Sequence, residues 1–274
     1  MHETSSISDI NLESNFIEMR IAHFVNVVDP LRLPPKSDLH IAQPITLDSM
    51  VLAKNSSSHD IELYAVKHRS ESVQVPNEFT LTKDLNRYCY DVFTHLPKIK
   101  HLPLIGDIFN SMNHVKDVDY FIYTNVDIGV VPSFYDDVIK YLKLGFKGLM
   151  INRRTMPTLM NNRPFTLNNY YSVFSNKGKY HPGCDCFVFP KNILNKINLG
   201  NVFIGFPPVA AAIEFCLRRY IPQDNFIWLN RNTYHKTFTF HFGDPRPYYN
   251  NRIRINRLYR SCNSLAYQEI KKCN

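Results

Sequence analysis

Residues 118–128 read VDYFIYTNVDI, an apolar run that ends on Thr124, Asn125 and Asp127. Tyr120 to Tyr123 form the β-rich, mostly apolar stretch expected of a strand buried on both faces of a sheet. In an extended segment residues two apart point the same way, so Asn125 and Asp127 are expected to share a face. Oxygen-bearing side chains at the carboxyl end of a central strand lie where an open α/β sheet binds its ligand. Their chemistry suits a divalent cation held against a diphosphate, because hard cations take oxygen ligands and leave positions for substrate oxygens. The same residues also suit a plain turn that ends a strand and caps a helix.

Arg153 and Arg154 follow an apolar GLMIN stretch and can clamp a phosphate or carboxylate in bidentate fashion. His181 and Asp185 stand in HPGCDCFVFP, where Gly183 allows close approach of backbone to a ligand. A carboxylate or imidazole there could take a proton from a hydroxyl. The same HPGCD segment also reads as a tight turn. The Cys184-Asp185-Cys186 pattern is poor evidence for zinc or redox work. Late in the chain, TFTFHFGD carries His241 and Asp244 on an alternating strand pattern, where a core histidine is the competing reading.

The elements that must position these residues alternate between strand and helix. Met19–Val28 is a strong first strand that ends near Asn26 and Asp29. Pro44 to Lys54 reads as a helix and Ile61–Val66 as a second strand. A helix is expected from about Thr82, with Leu85, Cys89, Val92 and Phe93 on one face, ended by Pro97. Pro103 to Met112 gives a short helix. Pro132 opens another helix that turns Phe134, Val138, Ile139 and Leu142 inward. Strands are expected at 148–152, 186–190, 226–229 and 237–242, with a helix at 209–219. Thr155 to Pro182 is read as a long lid or acceptor-binding loop. This order predicts an α/β fold, Rossmann-like, with a mostly parallel mixed sheet flanked by helices.

A polar leader (1–18), one catalytic domain (19–245) and a basic helical tail (246–274) packed on that domain describe the organisation. The tail sets Arg246, Arg252, Arg254, Arg257, Arg260, Lys271 and Lys272 against Glu269, while Ile255, Leu258, Cys262 and Leu265 fall at helical spacing. A chain of 274 residues with six scattered cysteines needs no disulfide scaffold and suits a reducing cytosol. The N-terminus has no signal-peptide pattern, and no apolar run is long enough to span a bilayer. Net charge of +8 points to an anionic partner. The tail can cover a diphosphate, dock on an anionic membrane at its cytoplasmic face, or be an ordinary solvated helix face, which is the default. Tyrosines interleave with its arginines, but no RNA-recognition motif accompanies them, so nucleic acid is not an expected partner.

The order and spacing of YTNVDI, HPGCDCFVFP and TFTFHFGD resemble those of nucleotide-sugar-dependent glycosyltransferases of the GT-A fold. The resemblance covers about residues 19–245 and implies transfer of a sugar from a nucleotide-sugar donor to a glycan or glycolipid hydroxyl. It implies that Asn125 and Asp127 match the D-x-D position and, with Thr124, meet the donor. His241 matches a late metal-binding histidine, which would complete a site for Mn2+ or Mg2+, the imidazole favouring Mn2+. Asp185 matches an acceptor-side carboxylate and is the first candidate base, with His181 the second. Asn26 lies where base or ribose is held, Asp107 could hold ribose or sugar hydroxyls (or cap a helix), Arg153 could meet phosphate, and Asp244 could support His241. The chain departs from the pattern at Asn125, a neutral oxygen donor in place of a carboxylate, which lowers the charge of the site. Two other classes remain: a non-catalytic degenerate transferase or basic anion- or nucleic-acid-binding protein, and a sugar-phosphate nucleotidyltransferase. The second would want a Gly-rich loop after the first strand, and residues 26–35 contain no glycine.

Overall fold

The structure, a computed structural model, describes residues 19–157, 159–160, 163–242 and 253–272. The expected leader, Asp244 and the first part of the basic tail lie outside the described residues. The strands are β1 (Arg20–Asn26), β2 (Asp60–Val66), β3 (Phe79–Leu81), β4 (Tyr120–Thr124), β5 (Gly129–Val130) and β6 (Gly148–Met156). They continue with β7 (Leu159–Met160), β8 (Arg163–Pro164), β9 (Lys179–Pro190), β10 (Phe226–Leu229) and β11 (Thr239–Phe242). The helices are α1 (Leu39–Ser56), α2 (Cys89–Val92), α3 (Ile105–Ser111), α4 (Phe134–Lys143), α5 (Val209–Arg218) and α6 (Ile253–Lys272).

Nine strands form one sheet in the order β3-β2-β1-β4-β9-β6-β11-β5, with β10 beside the first half of β6, while β7 and β8 pair as a separate hairpin. β1, β2, β3 and β4 are mutually parallel, and β10 and β11 run parallel to β6. The long β9 lies antiparallel between β4 and β6, and β5 is antiparallel to β11. The fold is thus the expected α/β arrangement, a mostly parallel mixed sheet flanked by helices.

Strand alternation distributes the core. Ile21, Val25, Ile122 and Ile151 pack toward α1 and α4, where Phe134, Val138, Ile139 and Leu142 are buried as their spacing predicts. Phe24, Phe121, Tyr123 and Phe187 face the opposite way, toward α3, α5 and α6. The α6 helix is anchored by Asn263, whose amide bonds to the backbone of Phe203 and Phe206, and by Tyr259, whose hydroxyl donates to the Pro97 carbonyl.

Three local expectations are corrected. The helix expected from Thr82 is absent: Phe79–Leu81 is a strand paired with β2, and only Cys89–Val92 turns helical. The Thr82 N–H bonds to the Ala65 carbonyl, and Leu85 exchanges backbone bonds with Lys67 and Arg69, so the chain stays extended along β2 and its continuation, which outweighs a weak helical pattern. The segment 155–182 is more ordered in kind than a loop. β6 runs on to Met156, a 3-10 helix spans Tyr170–Ser175, and β9 begins at Lys179, because the far ends of β6 and β9 pair with each other. The strand of residues 118–128 stops at Thr124, and the Ile128 N–H bonds back to the Asn125 carbonyl at 3.1 Å, closing a turn.

Candidate functional site

The antiparallel course of β9 assembles the site. Cys186 pairs with Thr124 on β4 and with Ile151 on β6, so the residues preceding it pass beyond the carboxyl end of β4 while they stay paired with the second half of β6. That brings Asp185 to Asn125 and Arg153, from segments far apart in sequence. Register shifts in the β6–β9 ladder fall at Ile151, Asn152 and Arg154, the stretch that presents Arg153. Bulges of this kind re-aim side chains.

Asp185 is held on both oxygens. Asn125 Nδ2 donates to its Oδ1 at 3.0 Å, and Arg153 Nη1 donates to its Oδ2. Asn125 Oδ1 accepts from the Tyr123 hydroxyl at 3.0 Å, and that hydroxyl also lies 3.3 Å from Asn26 Oδ1. Tyr123 and Asn26 are buried. His181 accepts the Gly183 N–H on Nδ1 at 2.8 Å, and its Nε2 lies 3.2 Å from Arg153 Nη2. With Nδ1 accepting, the neutral ring carries its proton on Nε2, so two N–H groups meet there. Arg153 Nε is buried without a protein partner. An oxyanion would satisfy these donors together.

The second half of the site joins β4 to β11. His241 pairs in register with Thr155 of β6, and its Nε2 lies 3.2 Å from Asp127 Oδ2. The two carboxyls are pushed apart. Burial raises the Asp127 pKa, but the contact with His241 and the charge of Arg153 outweigh it, so the group sits below its ordinary value. Burial raises that of Asp185 as well; Arg153 opposes the rise and Asp127 adds to it, leaving the group above its ordinary value. Burial and the neighbouring Arg153 lower His181 to about 4. At neutral pH the cluster therefore holds an ionised Asp127, a more basic Asp185 and a neutral His181.

The expected residues divide three ways. Asn125, Asp127, Arg153, His181, Asp185 and His241 come together, and Asn26 lies against them through Tyr123. Thr124 points to the other face, fully buried, its Oγ1 2.9 Å from His23 Nε2. Asp107 is bonded by both its oxygens to Arg87 (3.0 and 2.5 Å) in the first turn of α3, apart from the cluster. Tyr123, Asn152 and Trp228 escaped sequence reasoning. Asn152 donates to the His181 carbonyl at 3.1 Å and accepts from Trp228 Nε1 at 2.6 Å, tying β10 to the site. Tyr123 was legible in principle, since it stands two residues before Asn125 on the same face.

Among the described residues no group of three or more His, Cys, Asp or Glu side chains is placed to hold a metal ion. Asp127 Oδ2 and His241 Nε2, 3.2 Å apart, nevertheless have the spacing of adjacent ligands on one small cation. A cation bound through two protein groups and substrate oxygens fits that pair. The Asn125 amide is instead engaged at both ends, by Tyr123 and Asp185.

No helix among the described residues is long and apolar enough to cross a membrane. No family model and no curated protein matches the chain. Among solved structures it is similar to residues 1–349 of S. aureus TarS, with 10% identity and a TM-score of 0.48, over 82% of this chain and 60% of that one. Glucosyl-3-phosphoglycerate synthase from Mycobacterium tuberculosis, in complex with Mn2+, UDP and glucosyl-3-phosphoglycerate, gives 9% identity and a TM-score of 0.45, over 83% and 73%. A glycosyltransferase involved in glycosylation of the major capsid of PBCV-1 gives 10% and 0.39, over 81% and 93%. The chain thus spans about three fifths of the TarS fragment. Identities this low say nothing of activity.

Proposed function

We propose that this chain transfers a glycosyl group from a nucleoside-diphosphate sugar to a hydroxyl of a glycan or glycolipid acceptor. The observation that carries the reading is that the Asp185–Arg153 pair and the Asp127–His241 pair lie within electrostatic reach of each other, just past the carboxyl end of β4 and beside the second half of β6. Two carboxyls driven apart in pKa within one cluster suit a division of labour. Asp185, the more basic, takes the proton of the acceptor hydroxyl. The acceptor oxygen bonds to the anomeric carbon as the bond from that carbon to the diphosphate oxygen breaks, and the diphosphate leaves with the electron pair. A single displacement of this kind inverts the anomeric centre.

Negative charge grows on the leaving diphosphate, and groups already aimed at it are worth most there. The Arg153 guanidinium, with an unpartnered Nε, and the neighbouring His181 N–H supply such groups. Asp127 and His241 would hold Mn2+ or Mg2+, which when bound neutralises phosphate oxygens. Asn26, close to the Tyr123 hydroxyl, is offered to the nucleoside. A polysaccharide or lipid-linked acceptor would come to the Asp185 side.

Thermal unfolding with UDP, GDP, CDP and CMP, each with and without Mn2+, tests the reading. A ligand at about 100 times its Kd stabilises by roughly 2.7 kcal/mol, an easily read shift. One nucleotide is expected to raise the melting temperature, more so with Mn2+. A shift independent of metal would remove the cation and keep the transferase; no shift with any nucleotide would overturn the proposal.

A further inference from the structure

We infer that Asn125 is a positioning residue for the Asp185 carboxylate, and that its amide N–H is why an asparagine stands at this position. The inference rests on the reading of Asp185 as the base. An amide is the side-chain group that can accept at one end and donate at the other within a few ångströms. Asn125 does both, accepting from Tyr123 and donating to Asp185, each at 3.0 Å. Its own backbone is fixed by the turn that the Ile128 N–H closes on the Asn125 carbonyl.

The orientation of the amide is dictated from behind. The Tyr123 ring is buried and packed edge-to-face on Phe109 with centroids 5.7 Å apart. Its hydroxyl has one proton, which goes to the nearer of the two amide oxygens, that of Asn125. Oδ1 is thereby claimed, and Nδ2 must point to Asp185. Arg153 grips the other oxygen of the same carboxylate, so the plane of Asp185 is set from two sides. A carboxylate accepts about four hydrogen bonds. Two directions are taken, and the remaining ones are left for an acceptor hydroxyl at a defined angle.

A carboxylate at residue 125 would do the reverse. It would keep the bond from Tyr123 but place a second negative oxygen where the amide N–H now meets Asp185. Like charges at such a distance drive one another apart. The substitution that would complete a two-carboxylate motif, N125D, is therefore expected to damage this site.

The test combines structure and kinetics. Crystal structures of the wild-type protein and of N125D should show the Asp185 carboxylate within about 3 Å of Asn125 Nδ2 in the first and swung away in the second. An undisturbed Asp185 in N125D would overturn the inference without reference to activity. With UDP-glucose and UDP-N-acetylglucosamine as donors, Mn2+ present and water as acceptor, N125D should lose about a hundredfold in kcat, with KM for donor within about threefold. Tyr123→Phe, which leaves the amide in place but unclaimed, should show a smaller loss in kcat and none in donor KM. Wild-type kcat in N125D, or a loss confined to donor KM, assigns Asn125 to the donor and defeats the inference. Asp185→Asn run alongside separates the two layers. If it is fully active, the base reading falls and this inference with it; if it is inactive while N125D is not, the inference alone falls.

Discussion

Asp127 and Asp185 sit in one cluster, yet their surroundings act in opposite senses: His241 stabilises the first as an anion, and burial makes the second reluctant to ionise. Removal of either should be felt in chemistry rather than folding. Asp127→Ala and Asp185→Asn are each expected to lower kcat by two to three orders of magnitude, with unchanged far-UV circular dichroism; turnover near wild type in Asp127→Ala would sink the transferase reading. A different residue governs acid stability. His23 is wholly buried, between Tyr135 and Thr124, and burial lowers its pKa to about 3. A histidine in the unfolded chain titrates near 6.5. Below that pH the unfolded state binds a proton that the folded state refuses. Stability from His23 is therefore full above pH 6.5 and lost as pH falls toward 3, at up to about 1.4 kcal/mol per pH unit. Urea titrations between pH 6 and 4 should show a shallower pH slope in His23→Gln, and an unaltered slope would count against this origin.

At the scale of elements, the short β5 is a place where packing leaves no slack. Gly129 pairs with Phe240 of β11, and a Cβ at Gly129 would run into the Phe240 ring. Gly129→Ala is expected to cost about 1–3 kcal/mol through overpacking, read as a lower urea midpoint; no change would mean that the ring yields freely. β11 lies between β5 and β6, so this contact borders the strand that carries His241. Elements legible in the sequence were those whose pattern matches their burial. β1, β4 and β10 are mostly apolar runs, β2 alternates buried apolar with half-buried residues, and α4 shows its apolar stripe at helical spacing. β3 is not legible in the sequence because Phe79-Thr80-Leu81 is too short to show a period, and its state is decided by the edge of β2. β9 was read only from Cys186 onward, since KYHPGCD has no strand pattern; it is extended because it has β6 to pair with.

At the scale of the molecule, α6 closes the face opposite α1 and α4 and covers Phe203, Phe206 and Cys89. Its outer face exposes Arg254, Arg257, Lys271 and Lys272. Cations near an anionic bilayer are worth about 1 kcal/mol each and are screened by salt. If the tail docks on an anionic membrane, sedimentation with vesicles will show binding to phosphatidylglycerol, none to phosphatidylcholine, and release by 0.5 M NaCl. Equal pelleting with both lipids, or with neither, would make this an ordinary solvated face.

The sequence by itself determined most of the alternation of strand and helix, the inward face of α4, and the polar residues that follow β4. Those are local properties, carried by residue type and spacing. The tail helix instead exposes Leu265 and buries Tyr259, Ala266 and Ile270, and β6 runs on through Arg153 and Arg154. The sequence also singled out Asp127, Asp185, Arg153, His181 and His241 as chemically able. It could not show that Asp185 meets Arg153 and Asn125, because that depends on β9 inserting antiparallel between β4 and β6. Nor could it separate Asn125 from Asp127. Period-two alternation put them on one face, whereas the turn after Thr124 sends one to Asp185 and the other to His241. Thr124 and Asp107 show the same limit: their side chains were chemically suitable, and His23 and Arg87 had already taken them. Side-chain partners across the sheet are set by strand order and register, which are decided only when the whole core packs.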